Sequence, residues 1–411
     1  MRLEESWGLL GMKSNWENRT LEEVCMVITD GAHNSPKSVE DGEFMASVKD
    51  FTAYGLDFSN CRKISKEDYI KLERQGCVPK IGDILVGKDG ARYFEDIIIY
   101  KQNERPALLS SIAIIRPDAA LITSEFLYYT FNNPLVKKDV RDNYGSGSAI
   151  PRIVLKDFKR MLISFPPLDV QMKITALLER IDSKIQINNR INDNLLHQSL
   201  CIYSEMIGSR SKDGCIGDYC SIKSGFAFKS KWWQDSGVPV IKIGSINQDC
   251  LNLSDCSYVS ENKISLANDF IVGGGDLLIA MTGATIGKFT MVPKVSETIL
   301  VNQRVGKFFL GDNPISRLPF IYCTLKQPEI VSEVINRGQG SAQPNISASD
   351  IMSIPCVIPP TEVIDEFNKS TSQMFELIIN NQYENAVLAN TRDSILPKLM
   401  SGELDVSELN L

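Results

Sequence analysis

Apolar residues recur at helical spacing along two long stretches of the chain. Over residues 169–207 they are Val170, Ile174, Leu177, Ile181, Ile191, Leu195 and Ile202; in the second stretch they are Val363, Phe367, Met374, Leu377, Leu388 and Ile395. Side chains three and four apart share one helix face, so each pattern predicts a long amphipathic helix. Residues 169–207 contain no proline or glycine, and Gly208 supplies a stop. Pro166-Pro167 and Pro359-Pro360 precede the two stretches and set an extended entry, because a residue before proline avoids the α region. A seven-residue seam runs through Ile174, Ile181, Asn188, Leu195 and Ile202, and again through Phe367, Met374, Asn381, Leu388 and Ile395. That is a coiled-coil period. At about 1.5 Å per residue each helix is expected to be roughly 58 Å long.

Asn188 and Asn381 hold the same seam position near the middle of each helix. Each reads either as a solvated residue at a helix edge or as a buried amide that fixes register at some cost in stability. An antiparallel, centred pairing would bring the two together.

The remaining segments read as mixed α and β. Asp83–Gly87 and Asp276–Ala280 look like buried strands, as does Ser111–Ile115, while the runs Phe126–Tyr129 and Phe320–Cys323 suit short helices. These segments repeat. A shift of 193 residues aligns Gly82-Asp83-Ile84-Leu85 with Gly275-Asp276-Leu277-Leu278, Gly90-Ala91 with Gly283-Ala284, and residues 145–153 with 338–346. It also aligns Asp157 with Asp350 and one Pro-Pro with the other. The offset holds over more than a hundred residues, so the chain reads as a duplication.

The expected fold is therefore α+β: two tandem mixed α/β domains separated by two long helices that pair as an antiparallel coiled coil, with a pseudo-twofold between the halves. The boundaries are residues 12–168 for the first domain, 169–208 for the first spacer helix, 209–360 for the second domain, and 361–411 for the second spacer helix and tail.

Composition narrows the function. A length of 411 residues, 43% hydrophobic and 23% charged, is ordinary for a globular protein and excludes disordered, collagen-like and small disulfide-scaffold chains. No apolar run approaches the roughly 20 residues needed to span a bilayer, so no membrane association is expected. The first residues, MRLEESWGLL, carry two acids and no long apolar core, unlike a signal peptide. Ten cysteines form no C-x-x-C pair and read as the reduced thiols of a cytoplasmic protein. Two histidines, His33 and His197, exclude a His-rich metal site. The net charge of −7 arises mainly from residues 361–411, with 3 basic and 9 acidic side chains. Residues 12–168 carry 22 of each sign and residues 209–360 carry 14 basic and 13 acidic, so either domain can present a basic face that the total hides.

No catalytic constellation stands out. Gly283–Phe289 resembles a phosphate-binding loop but is one residue short and ends on Phe where magnesium needs a hydroxyl. Gly145-x-Gly147 opens no strand–helix unit. Neither H-E-x-x-H nor G-x-S-x-G occurs. The flanks Phe165-Pro166-Pro167-Leu168 and Ile358-Pro359-Pro360-Thr361 lack the acid or amide and the aromatic of an amino-methyltransferase motif. The chain by itself is expected to be non-catalytic.

Two variable halves, each followed by Pro-Pro and a long helix, resemble the specificity subunit of a type I restriction–modification enzyme. Local segments agree: Ile28–Lys37 resembles the Asp-Gly-x-His-x-x-Pro opening of target-recognition domains, and Ser224–Ser230 followed by Gly237–Ile241 resembles the other common opening. Asn302–Val305, Gly340–Ile346 and the ending Leu396–Leu404 are similar to family segments. The resemblance covers residues 12–406; residues 1–11 match nothing, and Met12 is a candidate start. It implies a sequence-specific reader of double-stranded DNA, each half reading one part of a bipartite target. The helices would set the spacing and dock two methyltransferase subunits. Restriction/translocase subunits would complete the assembly. No cofactor is expected on this chain; S-adenosylmethionine, ATP and magnesium are expected on the partners. Two other readings stay open: a stand-alone sequence-specific DNA-binding protein, and a coiled-coil scaffold that binds protein.

Base readout needs donor–acceptor side chains on elements that enter a groove, and phosphate contact needs Lys, Arg, hydroxyls or free backbone N–H groups. The candidates in the first half are His33, Lys37, Lys88, Arg92, Tyr93, Ser146, Ser148 and Arg152. In the second they are Lys229, Lys231, Trp232, Thr282, Thr285, Lys288, Arg304, Gln339, Ser341 and Gln343. Each has a plainer alternative. The loops 145–148 and 338–341 read equally as flexible turns, Lys88 and Arg92 as solvated turn charges, and Trp232 as half-buried packing. His33 equally satisfies its own loop, Arg304 equally pairs with an acid inside its domain, and His197 reads as a surface residue. The first half has Ser110-Ser111 where the second has Gln303-Arg304, so an arginine contact there belongs to one half alone.

Overall fold

The computed structural model describes residues 15–52, 55–145, 151–208, 210–247, 249–338 and 344–406. It divides into two compact units, residues 1–183 with 389–411, and residues 184–388. Both long helices form where the seams predict, at Leu168–Met206 and Thr361–Met400. Each unit contains part of both helices as well as its own sheets.

In the first unit the strands Cys25–Asp30, Ile112–Pro117, Ile84–Gly87 and Ile97–Ile99 lie side by side in that order, all antiparallel. Ile84, Leu85, Val86 and Ile112–Ile115 are all buried, so both faces of this sheet must be covered. One face packs on Phe126, Phe131 and Phe158, with Ile174 and Leu178 of the first long helix and Leu396, Leu399 and Met400 of the second. The other packs on Ala46, Leu56, Tyr100 and Leu108, beside a three-stranded sheet of Arg62–Ile64, Glu43–Ala46 and Ala107–Leu108. The ambiguous run at Phe126 is helical because Thr123 caps Ser124–Asn132, its hydroxyl accepting from Phe126 N–H.

The second unit repeats this sheet with Ser221–Ser224, Val305–Phe309, Leu277–Ala280 and Phe289–Met291 in the same order. The register also repeats at the sequence offset: Ile112 faces Gly87 and Val305 faces Ala280; Ile115 faces Ile84 and Phe308 faces Leu277. Its second sheet is larger, five strands in the order Trp233–Gln234, Ser257–Val259, Val238–Ile241, Ile299–Val301 and Ile271–Val272.

The helix seams pair antiparallel within each unit. In the first, Asp182 accepts from Arg392 at 2.7 Å and from the Tyr129 hydroxyl at 2.7 Å. In the second, Asn188 donates to Glu384 at 2.7 Å and to Asn385 at 2.9 Å, Asn381 donates to Asn192 at 2.8 Å, and Ser199 approaches Met374. Asn188 and Asn381 are buried, at 1% and 7% exposure, which excludes the solvated-edge reading. They do not meet each other. The helices pair one turn off centre, and each of the two amides finds a different asparagine opposite.

Candidate nucleic-acid interface

In each unit a central strand runs into a tight turn, Lys88–Phe94 after Gly87 and Met281–Gly287 after Ala280. The backbone hydrogen bonds inside the two turns correspond, and they diverge by one residue at the exit, where Gly87 N–H donates to Asp96 O and Ala280 N–H to Lys288 O. Tyr93 N–H donates to Gly90 and Ile286 N–H to Gly283; Phe94 N–H donates to Gly87 and Gly287 N–H to Ala280. A second segment closes each turn: Gly90 N–H donates to Pro151 O at 2.9 Å and Gly283 N–H to Pro344 O at 2.9 Å. Asp89 thereby lies opposite Arg152, and Thr282 opposite Asn345. A third segment is a two-residue turn between strands of different sheets, closed by Ile112 N–H on Leu109 O and by Val305 N–H on Asn302 O. Lys88 N–H donates to Ser111 O and Met281 N–H to Arg304 O. The turn requires left-handed backbone at two points, Gly90 and Phe94 in one copy and Gly283 and Gly287 in the other. Glycine adopts this at no steric cost; Phe94, at φ 62°, does not. Burial of its ring against Phe131 and Phe158 offsets the strain.

The same frame carries different side chains. In the first unit it is ionic. Lys88 is only 7% exposed and pairs with Asp30 at 3.3 Å and Asp89 at 3.6 Å. This excludes the reading of Lys88 as a solvated turn charge: it is an internal counter-ion. The same Asp30 lies 3.2 Å from Nε2 of the exposed His33. Arg92 is exposed and pairs with Asp96, Arg152 is exposed, and Tyr93 is half-buried with its hydroxyl against Gly145. Lys37 is exposed, on a loop held by Arg62, which donates to Ser35 and to the Pro36 carbonyl.

In the second unit the frame opens into a groove of about 540 Å³. Its walls carry Thr282, Gln303, Arg304, Asn345 and Ser347. Met281 replaces Lys88, so no ion pair fills the space. Arg304 is exposed and makes no ion pair among the described residues, which settles against its pairing with an acid inside the domain. The Thr282 hydroxyl is buried and has no hydrogen-bond partner among the described residues. Thr285 and Lys288 are half-buried on the far side of the turn. Ser347 caps the short helix Ala348–Met352 at the groove wall. Its side-chain and backbone hydrogen bonds hold the Asp350 carboxyl below the ordinary carboxylate range.

Elsewhere in this unit Trp232 is half-buried and stacks on Phe226 at 6.4 Å, while Lys229 and Lys263 lie over its ring at 5.4 and 4.8 Å. Packing and a basic surface thus coincide at one residue. Lys231 beside it is exposed. Ser146, Ser148, Gln339, Ser341 and Gln343 lie outside the described residues. Sequence reasoning missed Asp30, the carboxylate that organises the first cluster, and Asn345, the counterpart of Arg152 at the repeat offset. The offset alone was enough to find Asn345. Among the described residues, no three His, Cys, Asp or Glu side chains are placed to hold a metal ion, and no helix is long and apolar enough to cross a membrane.

The family model for the type I restriction modification DNA specificity domain matches residues 13–197 and again residues 209–387. The chain is similar to the type I restriction enzyme MjaIX specificity subunit of Methanocaldococcus jannaschii, 26% identical over 323 residues, covering 70% of this chain and 71% of that one. It is similar to the HindI specificity subunit of Haemophilus influenzae, 19% identical over 409 residues, covering 79% and 87%. The fold is similar to that of a crystal structure of the S subunit of a type I restriction–modification system from M. genitalium, with a TM-score of 0.50, 17% identity, and 95% and 96% of the chains covered. With the specificity-domain model matched twice along its length, the chain belongs to the family of type I restriction–modification specificity subunits.

Proposed function

We propose that each half of this chain reads one part of a bipartite target in double-stranded DNA, that the paired helices fix the distance between the parts, and that the chain itself carries no catalysis. The observation that supports this most is the duplicated frame: one backbone geometry, occurring twice, with exposed polar side chains that differ between copies. Two readers built alike but lined differently suit a target whose two parts have different sequences. The helices bear exposed apolar residues, Met172, Ile187 and Ile191 on the first and Leu377 and Val387 on the second. These suit docking of helices from two methyltransferase subunits. In this reading S-adenosylmethionine is bound by those subunits, and ATP and magnesium by the restriction/translocase subunits.

The test is genome-wide mapping of methylated adenine with and without this gene, in a host carrying its neighbouring genes. The expected result is loss of one bipartite motif on deletion. Unchanged methylation overturns the proposal.

A further inference from the structure

The groove of the second unit differs from a phosphate cradle in a way that defines its ligand. Phosphate is held by clustered cations or by free backbone N–H groups. Here backbone N–H groups around the groove are already used at four points: Met281 donates to Arg304 O, Gly283 to Pro344 O, Gln303 to Phe226 O and Ile346 to Met281 O. Arg304 N–H is directed to the Asn302 side chain at 3.3 Å. Of the described residues that line the groove, Arg304 is the one cation, and none is an acid. What remains open is a guanidinium on one wall and the amides of Gln303 and Asn345. A planar two-donor fork beside amides matches the edge of a base pair, and an arginine fork matches guanine O6 and N7 in the major groove.

We propose that Arg304 reads one guanine, in the half-site bound by the second domain, with Asn345 on the facing segment beside it. This rests on the DNA-reading function proposed above and adds the residue and the base. The first half cannot make the same contact. Ser111 stands where Arg304 does, and the ion pairs of Lys88 with Asp30 and Asp89 occupy the place that Met281 and Thr282 leave open. The guanine requirement therefore belongs to one half-site.

The experiment uses the full chain assembled with its methyltransferase subunits, acting on duplexes randomised across both half-sites. The proteins are wild type, Arg304→Lys and Arg304→Ala. Arg304 is exposed and makes no ion pair among the described residues, so both variants are expected to fold with an unchanged unfolding midpoint, which is measured alongside. Wild type is expected to yield a bipartite consensus with a guanine in the half-site that the second domain reads. Both variants are expected to lose that one preference and to methylate the original site about ten- to a hundredfold more slowly, the discrimination a bidentate contact supplies. Every other position stays as in wild type. Lysine keeps the charge and loses the fork. If Arg304→Lys retains the wild-type consensus and rate, the contact is to phosphate and the proposal is overturned. If both variants slow methylation uniformly without altering any position, it is overturned as well. A wild-type assembly that shows no consensus overturns the DNA-reading function itself, and this inference with it.

Discussion

Asn192 accepts a hydrogen bond from the side-chain amide of Asn381 at 2.8 Å, across the seam of the two long helices. One turn along, Asn188 donates to Asn385 at 2.9 Å. The two pairs together specify a single alignment. Sliding either helix by one turn leaves just one asparagine facing an asparagine and strands the others in an apolar seam. A buried polar group without a partner costs about 1–3 kcal/mol, so the ladder penalises slippage. Asn381→Ala is expected to destabilise by about 1–3 kcal/mol, and a double-mutant cycle between positions 192 and 381 to show coupling of about 0.5–3 kcal/mol. Urea unfolding of the four proteins measures it. A coupling near zero would mean that the amides merely coexist in the seam.

The first unit has a second polar commitment in its core. Asp83 is 1% exposed and is held by a two-pronged contact from Arg116, Nε and Nη2 each at 2.7 Å, plus Lys80 N–H at 2.7 Å. In the second unit the corresponding aspartate, Asp276, has Lys307 at 3.6 Å, and burial raises its carboxyl above the ordinary range. Arg116→Ala leaves a carboxylate buried without its counter-ion and is expected to cost about 3–5 kcal/mol. Asp83→Asn with Arg116→Met removes both charges and is expected to cost less than Arg116→Ala alone. Thermal unfolding of both variants decides this, and equal losses would count against an uncompensated charge as the cause.

The long helices, the central strands and the duplication were legible because each depends on a local period or a repeated string. Val170 to Ile202 at helical spacing needs no tertiary knowledge, and Gly90 matched to Gly283 already implied the same turn twice. The five-stranded sheet of the second unit was not legible. Its strands are two to four residues long, too short to carry a period. The site was half legible. Arg304 and Arg152 are exposed, as expected of arginines in these turns. Lys88 turned inward because Asp30, distant in sequence, lies beside it after folding, and no spacing rule connects residue 30 with residue 88. The off-centre pairing of the helices is hidden for the same reason: the heptad fixes which face meets the partner and leaves open which turn meets which.

Thiol reactivity gives an independent check on burial. Cys201 is exposed on the first long helix. Burial pushes the thiols of Cys220 and Cys356 up to about 12 and that of Cys256 up to about 11. The thiolate is the nucleophile, and a buried thiol that resists ionisation is inert. Iodoacetamide at pH 8 is therefore expected to modify Cys201 first and to spare Cys220, Cys256 and Cys356 until the protein unfolds. Peptide mass spectrometry reads the order. Early labelling of Cys356 would contradict the pairing of Gly214–Cys215 with Pro355–Cys356 that encloses it.

The cap at Ser347 links the groove wall to pH. Ser347 Oγ donates to Asp350 at 2.6 Å and its N–H donates at 3.0 Å, while Asp350 N–H donates back to Ser347 Oγ at 3.1 Å. These bonds lower the folded-state pKa of Asp350, the side-chain bond most. A lowered carboxylate pKa contributes stability that is fully present above the unfolded value. It is lost as pH falls through the folded value, so the window lies below about pH 4. Asp350 is almost fully solvated, so the effect is small, and Ser347→Ala at neutral pH is the larger perturbation, at about 1 kcal/mol. Unfolding midpoints measured from pH 7 to pH 3 are expected to fall less steeply at the acid end for Asp350→Asn than for wild type, because the asparagine has no proton to gain. Parallel curves would show that other carboxylates govern the acid limb. Since Ser347 lines the groove beside Asn345, Ser347→Ala is also expected to weaken methylation of the target more than its loss of stability alone explains.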